Sequence, residues 1–315
     1  MANPLVVHTV ADTPWADADE LRDLVATRAG CSVDLARTPA ETRELLPDAE
    51  VALAAHFPAD LFEVAERLSW VQALSAGVDF FPQEAFAEHG VALTSAAGVH
   101  AQPIAEQVLG YMVAFERDFL RAFRQQERSL WVRYSGGELA GQTLCVVGVG
   151  AIGTRVAELA DAFGMEVVGT KRHPETAPDV LADVRPPGGL DDLLLDADYV
   201  VVACPLTEET RGLIGSEQLK RLDEEAVLVN VARGPVVDQD ALVAALRGDG
   251  LGGAALDVFE EEPLPETSPL WDLPNVLVTP HMAGSTPRSH ERIADLFARN
   301  YEAWQAGDPL ENRVV

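Results

Sequence analysis

Short apolar runs alternate with amphipathic stretches over the N-terminal third of the chain. Short continuous apolar runs are typical of buried strands, and apolar positions spaced by three and four residues are typical of helices. The pattern predicts strands at residues 5–7, 51–53 and 70–74 and helices at 20–27, 41–46 and 61–67. Strands that alternate with helices predict a parallel sheet covered on both faces.

A long helix is predicted next, because apolar residues recur at three- and four-residue spacing from Ile104 to Phe123. Its apolar face is wide and aromatic, and it includes Phe115 and Phe119. Such a face packs in a core or, alternatively, also contributes to a dimer interface. We expect the protein to form a homodimer.

The alternation then restarts, with a predicted strand at residues 143–147, a helix to about residue 163 and a strand at 165–169. Further strands are predicted at 199–203, 226–231, 253–258 and 276–278, and a last helix from about residue 285. The fold class expected is therefore α/β, with two doubly wound parallel-sheet domains, the second of the Rossmann type.

The first strand of the second domain leads into a Gly-x-Gly-x-x-Gly turn at residues 148–153, directly before a helix. In this context the first glycine permits a tight turn, the second lets the backbone approach a pyrophosphate, and the third allows close contact of helix and strand. The helix N-terminus favours the negative charge. We interpret the turn as dinucleotide-binding rather than as a plain loop. Its candidate residues are Gly148, Gly150, Ala151, Ile152 and Gly153.

The next strand ends at the position that reads the adenosine ribose, where an NAD site normally has Asp or Glu. Lys171 occupies this position, and Arg172 and His173 follow it. A cationic pair suits the 2′-phosphate of NADP and offers no acceptor to a bare diol. A solvated basic turn is the alternative, which we disfavour in so acidic a chain. NADP is therefore the predicted cofactor, with NAD as the weaker one.

Polar residues follow the later strands, with Arg233, Glu262 and His281 each coming after a different one. Ligands bind at the carboxyl ends of strands in doubly wound sheets, so these side chains are expected to reach one crevice. Arg233 offers a fork of donors to a carboxylate. His281 can supply a proton near neutral pH, and Glu262 can orient the imidazole and keep it charged. Each residue taken alone has an alternative interpretation. Arg233 would be an ordinary turn arginine, Glu262 part of a solvated acidic run, and His281 a helix-capping histidine.

Acidic residues dominate the charge, because Asp and Glu number 51 against 23 Lys and Arg, for a net charge of −28. Such a surface repels nucleic acids and anionic membranes, so neither is expected as a partner. Like charges also repel one another unless cations screen them. Together with the scarcity of lysine, the charge predicts a host with multimolar internal salt.

The remaining features of the chain predict a cytoplasmic protein without a metal. The start at residues 1–4 lacks the basic and apolar stretches of a signal peptide, and no apolar run approaches the length of a membrane span. Cys31, Cys145 and Cys204 are far apart and odd in number, which is neither a disulfide framework nor a metal cluster. No cluster of His, Cys and carboxylates has metal-ligand spacing.

The ordered motifs resemble the D-isomer-specific 2-hydroxyacid dehydrogenase family, in particular its glyoxylate/hydroxypyruvate reductase-like members. The matching segments are residues 75–79, the glycine turn, 204–210, 230–234, 257–263 and 280–284. The resemblance covers essentially the whole chain. It implies a flavodoxin-like substrate domain at residues 1–98 and 285–315, and a Rossmann NAD(P)-binding domain at 99–284. Lys171 departs from the family's usual Asp, which puts NAD in doubt but not the fold.

The resemblance also implies a role for each matching residue. Arg233 would bind the carboxylate and carbonyl oxygen of the substrate, His281 would be the acid/base, and Glu262 its carboxylate partner. Asp257 would hold the nicotinamide carboxamide. The substrate carboxylate would be gripped by a loop formed by Ser75, Ala76 and Gly77. Further cofactor contacts are implied for Cys204, Pro205, Thr210, Val231, Ala232, Arg233, His281 and Gly284.

The implied activity is hydride transfer between NADP(H) and a small 2-keto or 2-hydroxy acid of D configuration. A dinucleotide-sensing corepressor that binds peptide motifs is the alternative, since such proteins can retain the same residues. A phosphoglycerate dehydrogenase with a regulatory domain is disfavoured, because the sequence stops after the last predicted helix.

Overall fold

The computed structural model describes residues 4–7, 17–248 and 250–315. The chain divides into two compact units, one formed by Met1–His100 with Ser285–Val315 and the other by Ala101–Gly284. The strands are β1 Leu5–Val7, β2 Asp34–Ala36, β3 Val51–Ala54, β4 Trp70–Ala73, β5 Ala92–Thr94, β6 Thr143–Val147, β7 Glu166–Thr170, β8 Asp183–Arg185, β9 Tyr199–Val202, β10 Val227–Asn230, β11 Gly253–Leu256 and β12 Val276–Val278. The α-helices are α1 Ala18–Ala29, α2 Pro39–Leu45, α3 Gln83–His89, α4 Ala101–Glu116, α5 Phe119–Glu127, α6 Ala151–Ala162, α7 Leu190–Leu193, α8 Ser216–Leu219, α9 Gln239–Arg247 and α10 Ser289–Ala306.

The first unit contains a parallel sheet with the strand order β2-β1-β3-β4-β5, which is the flavodoxin-like order. Val6 of β1 pairs with Leu35 on one side and Leu53 on the other. Helix α10, predicted from about residue 285, covers the sheet with an apolar face, and its Phe297 stacks on Trp70 at a ring distance of 5.2 Å. The α/β prediction is confirmed for this unit.

The second unit contains a parallel sheet with the order β12-β11-β10-β9-β6-β7-β8. This is the Rossmann order with one more strand at its edge. Val200, Val201 and Val202 of β9 are fully buried, as a strand covered on both faces requires. The order reverses between β6 and β9, so a crevice forms at the carboxyl ends of these strands. The Rossmann prediction is confirmed.

The structure corrects the prediction of one helix across residues 104–123. Helix α4 ends at Glu116, α5 begins at Phe119, and Asp118 between them has a φ of 52°. Aspartate tolerates this left-handed conformation better than most residues, and it turns the chain so that Phe119 and Phe123 are exposed. The prediction of one continuous apolar face was therefore wrong for the residues after α4.

The helix predicted at residues 61–67 is also wrong. A short 3-10 helix spans Ala59–Glu63 instead, and it buries the adjacent side chains of Leu61 and Phe62. Among the described residues, no helix is both long and apolar enough to cross a membrane.

Candidate active site

The glycine turn after β6 is packed too closely for side chains at its first and last glycines. Gly148 has a φ of 100°, and a Cβ placed there would lie 2.7 Å from the Cα of Cys204. A Cβ at Gly153 would lie 2.3 Å from the carbonyl oxygen of Gly148. These contacts draw β6, α6 and the loop after β9 together.

Gly150, in contrast, faces open space. No atom lies within 4 Å of a Cβ placed there, and this exposed glycine is the N-cap of α6 without a side-chain cap. The first N–H groups of a helix, here those of Ala151, Ile152 and Gly153, have no acceptor within the helix itself. The backbone thus offers donors and room together, which fits the pyrophosphate of a dinucleotide.

Lys171, the residue in the ribose-reading position, is anchored on the glycine turn. Its Nζ donates to the carbonyl oxygen of Val149 at 2.8 Å, which uses one of the three ammonium protons. Thr170 binds the same turn, because its hydroxyl accepts from the N–H of Gly148 at 3.2 Å and its carbonyl from that of Val149 at 2.8 Å. Sequence reasoning missed Thr170, since a strand-end threonine carries no signal of its own.

Arg172 and His173 are exposed beyond Lys171. The imidazole of His173 lies 3.4 Å from Glu175. A hydrogen bond from Thr207 lowers the pKa of Glu209, and the charge of Arg172 lowers it further. The charge of Arg172 therefore acts on the loop that follows β9.

The loop after β9 is closed by its own hydrogen bonds. The hydroxyl of Thr210 donates to the carbonyl oxygen of Pro205 at 2.6 Å and accepts from the N–H of Thr207 at 2.7 Å. Burial raises the pKa of Cys204 to about 11, so its thiol stays protonated, and its Cα and Cβ atoms pack against the glycine turn. The cofactor contacts of Cys204, Pro205 and Thr210 stay predictions.

The loop that carries Arg233 is shaped by Asn230, which is 1% exposed. The Asn230 side chain accepts from the N–H of Ala232 and donates to the carbonyl oxygen of Arg233, both at 3.1 Å. A Cβ at Gly234 would lie 1.9 Å from the carbonyl of Phe259, so this loop presses on the segment after β11. Arg233 is half-buried, and its Nη1 donates to the carbonyl oxygen of Ala232 at 2.9 Å. Val231 and Ala232 are buried at the start of this loop.

The structure brings His281 and Glu262 together. The Nδ1 atom of His281 lies 2.7 Å from Oε2 of Glu262, and the other carboxylate oxygen accepts from the N–H of Phe259 at 2.9 Å. The carboxylate is thus fixed, and it fixes the ring in turn. The Nε2 atom is the remaining nitrogen for proton transfer, and half of the imidazole side chain is exposed.

Asp257 is 2% exposed and organises the backbone around His281. Its carboxylate accepts from the N–H groups of Met282 and Ala283, both at 2.9 Å. Its carbonyl oxygen accepts from the N–H of His281 at 2.8 Å. His281 has a φ of 51°, so its backbone conformation depends on these bonds. The nicotinamide contact implied for Asp257, like that for Gly284, stays a prediction.

The predicted substrate loop belongs to the first unit and follows β4. The hydroxyl of Ser75 donates to the carbonyl oxygen of Gly77 at 2.7 Å, and its carbonyl accepts from the N–H of Ala96 at 2.9 Å. Ala76 and Gly77 are half-buried. No group of side chains suited to a metal ion occurs among the residues that the structure describes.

Comparison with known proteins assigns this arrangement to a family. Residues 109–283 match the model of the D-isomer specific 2-hydroxyacid dehydrogenase NAD-binding domain. Glyoxylate reductase from Aeropyrum pernix is 37% identical over 266 residues, which are 81% of this chain and 78% of that protein. D-3-phosphoglycerate dehydrogenase from Methanocaldococcus jannaschii is 35% identical over 88% of this chain, which spans only 54% of that protein's length.

A solved structure agrees with these sequence matches. The D-isomer specific 2-hydroxyacid dehydrogenase from Xanthobacter autotrophicus Py2, in complex with NADPH and MES, superposes with a TM-score of 0.86 at 32% identity. The superposition covers 100% of this chain and 98% of that one.

Proposed function

The chain belongs to the D-isomer specific 2-hydroxyacid dehydrogenase family of NAD(P)-dependent oxidoreductases, and we propose that it reduces a small 2-keto acid with NADPH. The family predicted from the sequence is confirmed. Membership favours an enzyme over the corepressor alternative. The role of each residue is part of the proposal.

The observation that carries the proposal is the 2.7 Å contact between His281 and Glu262 on the unit that also holds Arg233. A bound nicotinamide supplies the hydride. Arg233 binds the substrate carboxylate and stabilises the negative charge that develops on the carbonyl oxygen. His281 delivers a proton to that oxygen from Nε2, and Glu262 holds the imidazole in place through Nδ1.

Other residues complete the proposed site. The unit formed by Met1–His100 with Ser285–Val315 acts as the substrate domain, and Ala101–Gly284 as the cofactor domain. Ser75, Ala76 and Gly77 supply backbone donors to the substrate carboxylate, and Asp257 contacts the carboxamide of the cofactor. Further cofactor contacts are proposed for Cys204, Pro205, Thr210, Val231, Ala232 and Gly284.

A steady-state assay with NADPH and a panel of 2-keto acids tests the proposal. Glyoxylate, hydroxypyruvate and pyruvate differ only in the substituent on the keto carbon, so their relative kcat/KM values also define the substrate pocket. Turnover of none of the panel, by a protein that binds NADPH, would favour the corepressor alternative.

The choice of cofactor is expected to depend on Arg172 and Lys171. The related Xanthobacter enzyme was solved with NADPH, and Arg172 is an exposed cation next to Lys171 that can bind a 2′-phosphate. Loss of one charge-assisted hydrogen bond costs about 1.5–3 kcal/mol. We therefore expect Arg172→Gln to lower kcat/KM for NADPH about tenfold or more and to leave NADH nearly unaffected. Efficiencies for both cofactors at matched salt provide the measurement.

Lys171 needs a more careful control, because its ammonium also holds the carbonyl oxygen of Val149. Lys171→Asp adds a repulsion as well as removing an attraction, so it should shift the ratio further toward NADH. Lys171→Met removes the charge and the hydrogen bond alone. If Lys171→Met weakens both cofactors equally, Lys171 only shapes the turn. A wild-type enzyme that prefers NADH would refute the NADP assignment.

We also propose that the protein functions in the cytoplasm of a host with high internal salt. The net charge of −28 produces self-repulsion that screening relieves. Increasing KCl from millimolar to multimolar should raise Tm by about 2–4 °C for each kcal/mol of repulsion removed. Sucrose is the matched control, because it stabilises by exclusion without screening charge. A melting temperature that is independent of KCl would mean that the composition was misinterpreted.

Assembly as a homodimer is part of the proposal. Phe119 and Phe123 on α5 are 42% and 60% exposed, and exposed apolar side chains on one helix face favour burial against another copy. Sedimentation equilibrium gives the mass in solution. A single-chain mass at micromolar concentration would contradict the dimer.

A further inference from the structure

A chain of hydrogen-bonded polar side chains, buried at both ends and half-buried at Thr279, runs from α4 to the loop that carries His281. The hydroxyl oxygen of Tyr111 lies 2.5 Å from Oγ1 of Thr279, which lies 2.5 Å from Oδ1 of Asp257. Tyr111 is 3% exposed and Asp257 is 2% exposed. The proposed mechanism uses neither Tyr111 nor Thr279. Burying a polar group is unfavourable unless it is hydrogen-bonded. We therefore asked what these paired hydroxyl groups contribute to the site.

The direction of these hydrogen bonds follows from the protons available. An ionised carboxylate only accepts, and a threonine hydroxyl has one proton. Thr279 therefore donates to Asp257 and accepts from Tyr111. Burial raises the pKa of Tyr111, and the charge of Asp257 raises it further, so the phenol remains a donor. Each member of the chain thus fixes the orientation of the next.

Asp257 transmits this order to His281. Oδ1 accepts from Thr279 and from the N–H of Met282, and Oδ2 accepts from the N–H of Ala283. The N–H of His281 donates to the carbonyl oxygen of the same aspartate at 2.8 Å. Met282 and Ala283 are therefore held by the buried side chain of Asp257, and His281 is held by the backbone carbonyl of the same residue. The φ of 51° at His281 is unfavourable for a residue with a side chain, and it persists only where the surroundings hold it.

We propose that Thr279 and Tyr111 are positioning residues that hold the imidazole of His281 through Asp257. The inference rests on the proposed function, in which His281 is the proton donor. Without the hydroxyl of Thr279, the Oδ1 atom of Asp257 loses its side-chain hydrogen-bond donor. The loop then samples backbone conformations in which the imidazole leaves Glu262.

Two substitutions of Thr279 separate the hydroxyl from packing. Thr279→Val keeps the shape and removes the hydroxyl, whereas Thr279→Ser keeps the hydroxyl and removes a methyl group. We expect Thr279→Val to lower kcat roughly 10- to 100-fold, in the range seen when catalytic geometry is displaced. KM for the keto acid should change little, because Arg233 is untouched. Thr279→Ser should retain most of the activity.

Tyr111→Phe gives a milder second variant, because it removes one neutral hydrogen bond and preserves the ring. Loss of one such bond corresponds to roughly a 2- to 12-fold reduction of kcat. Equal losses in Thr279→Val and Thr279→Ser would overturn the inference, as would a wild-type kcat in both Thr279→Val and Tyr111→Phe.

A double substitution tests whether the hydroxyl acts through His281. In the His281→Ala background, Thr279→Val should cost little further activity, since residues that act as one unit are not additive. A full further loss would mean that Thr279 acts elsewhere, which overturns the inference.

Amide hydrogen exchange at Met282 and Ala283 requires neither cofactor nor turnover. Exchange should be faster in Thr279→Val and unchanged in Thr279→Ser. If His281→Ala alone retained full activity, the proposed function would fail, yet the exchange rates would still decide whether the hydroxyl holds the loop. Equal protection in both variants would overturn the inference independently.

Discussion

Substitution of His281 by alanine is expected to lower kcat for keto-acid reduction by roughly 10²–10⁴-fold, the contribution typical of a general acid. The structure leaves Nε2 for the substrate, because Nδ1 lies 2.7 Å from the carboxylate of Glu262. Single-turnover and steady-state rates with NADPH give the measurement. The affinity for NADPH should change little, because the substitution leaves the backbone donors of the glycine turn intact.

Glu262→Gln is the matched control for this loss. Glutamine can still accept from the N–H of Phe259 and can contact the imidazole, but it has no charge. The loss should be smaller than for His281→Ala. Without the carboxylate, the imidazole also loses the partner that orients its Nδ1 atom at 2.7 Å. Near-wild-type activity of His281→Ala at all pH values would remove this residue from the mechanism.

Arg233→Lys should lower kcat/KM for the keto acid roughly 10- to 100-fold, the cost of one charge-assisted hydrogen bond of about 1.5–3 kcal/mol. Lysine keeps the charge but loses the rigid fork that matches a carboxylate. Because the same guanidinium is proposed to bind the carboxylate and to stabilise the developing oxyanion, KM should rise while kcat falls. The affinity for NADPH provides a check that the loop is intact.

Arg247→Lys is the control for Arg233. This arginine is exposed at the end of α9, so its substitution by lysine should leave KM and kcat unchanged. If Arg233→Lys also left KM and kcat unchanged, Arg233 would be an ordinary loop arginine and the proposed carboxylate contact would be wrong.

Edge strands show where sequence reasoning about the fold loses its signal. The central strands were predicted to within a few residues, because both of their faces are buried and they form continuous apolar runs. Strands β2, β5 and β8 are edge strands of three residues, and the pattern did not reveal them. The fourth edge strand, β12, is equally short but entirely apolar, and it was predicted. Asp34 begins β2, and Asp183 and Arg185 flank the centre of β8, since an edge strand is partly solvated and tolerates charge.

In the candidate site, features that depend on one segment of the chain could be predicted from the sequence, whereas contacts between distant segments could not. The glycine turn could be predicted, since spacing along one segment determines its geometry. The role of Thr279 could not be, because its partner Tyr111 lies 168 positions away and the two meet only through the packing of α4 on the sheet. Lys171 directly follows β7, but its bond to Val149 depends on side-chain reach rather than on sequence pattern.

The strand order of the second sheet separates the residues proposed to choose the cofactor from those proposed to act on the substrate. Lys171 and Arg172 follow β7, on one side of the point where the order reverses, whereas Arg233, Glu262 and His281 follow β10, β11 and β12 on the other. With neighbouring strands about 4.8 Å apart, β7 and β11 are separated by roughly 19 Å. Substitutions at such distances are usually independent. The choice between NAD and NADP can therefore change in evolution without affecting proton transfer to the substrate. Cofactor choice and the type of reaction evolve independently, because they depend on different strands of the sheet.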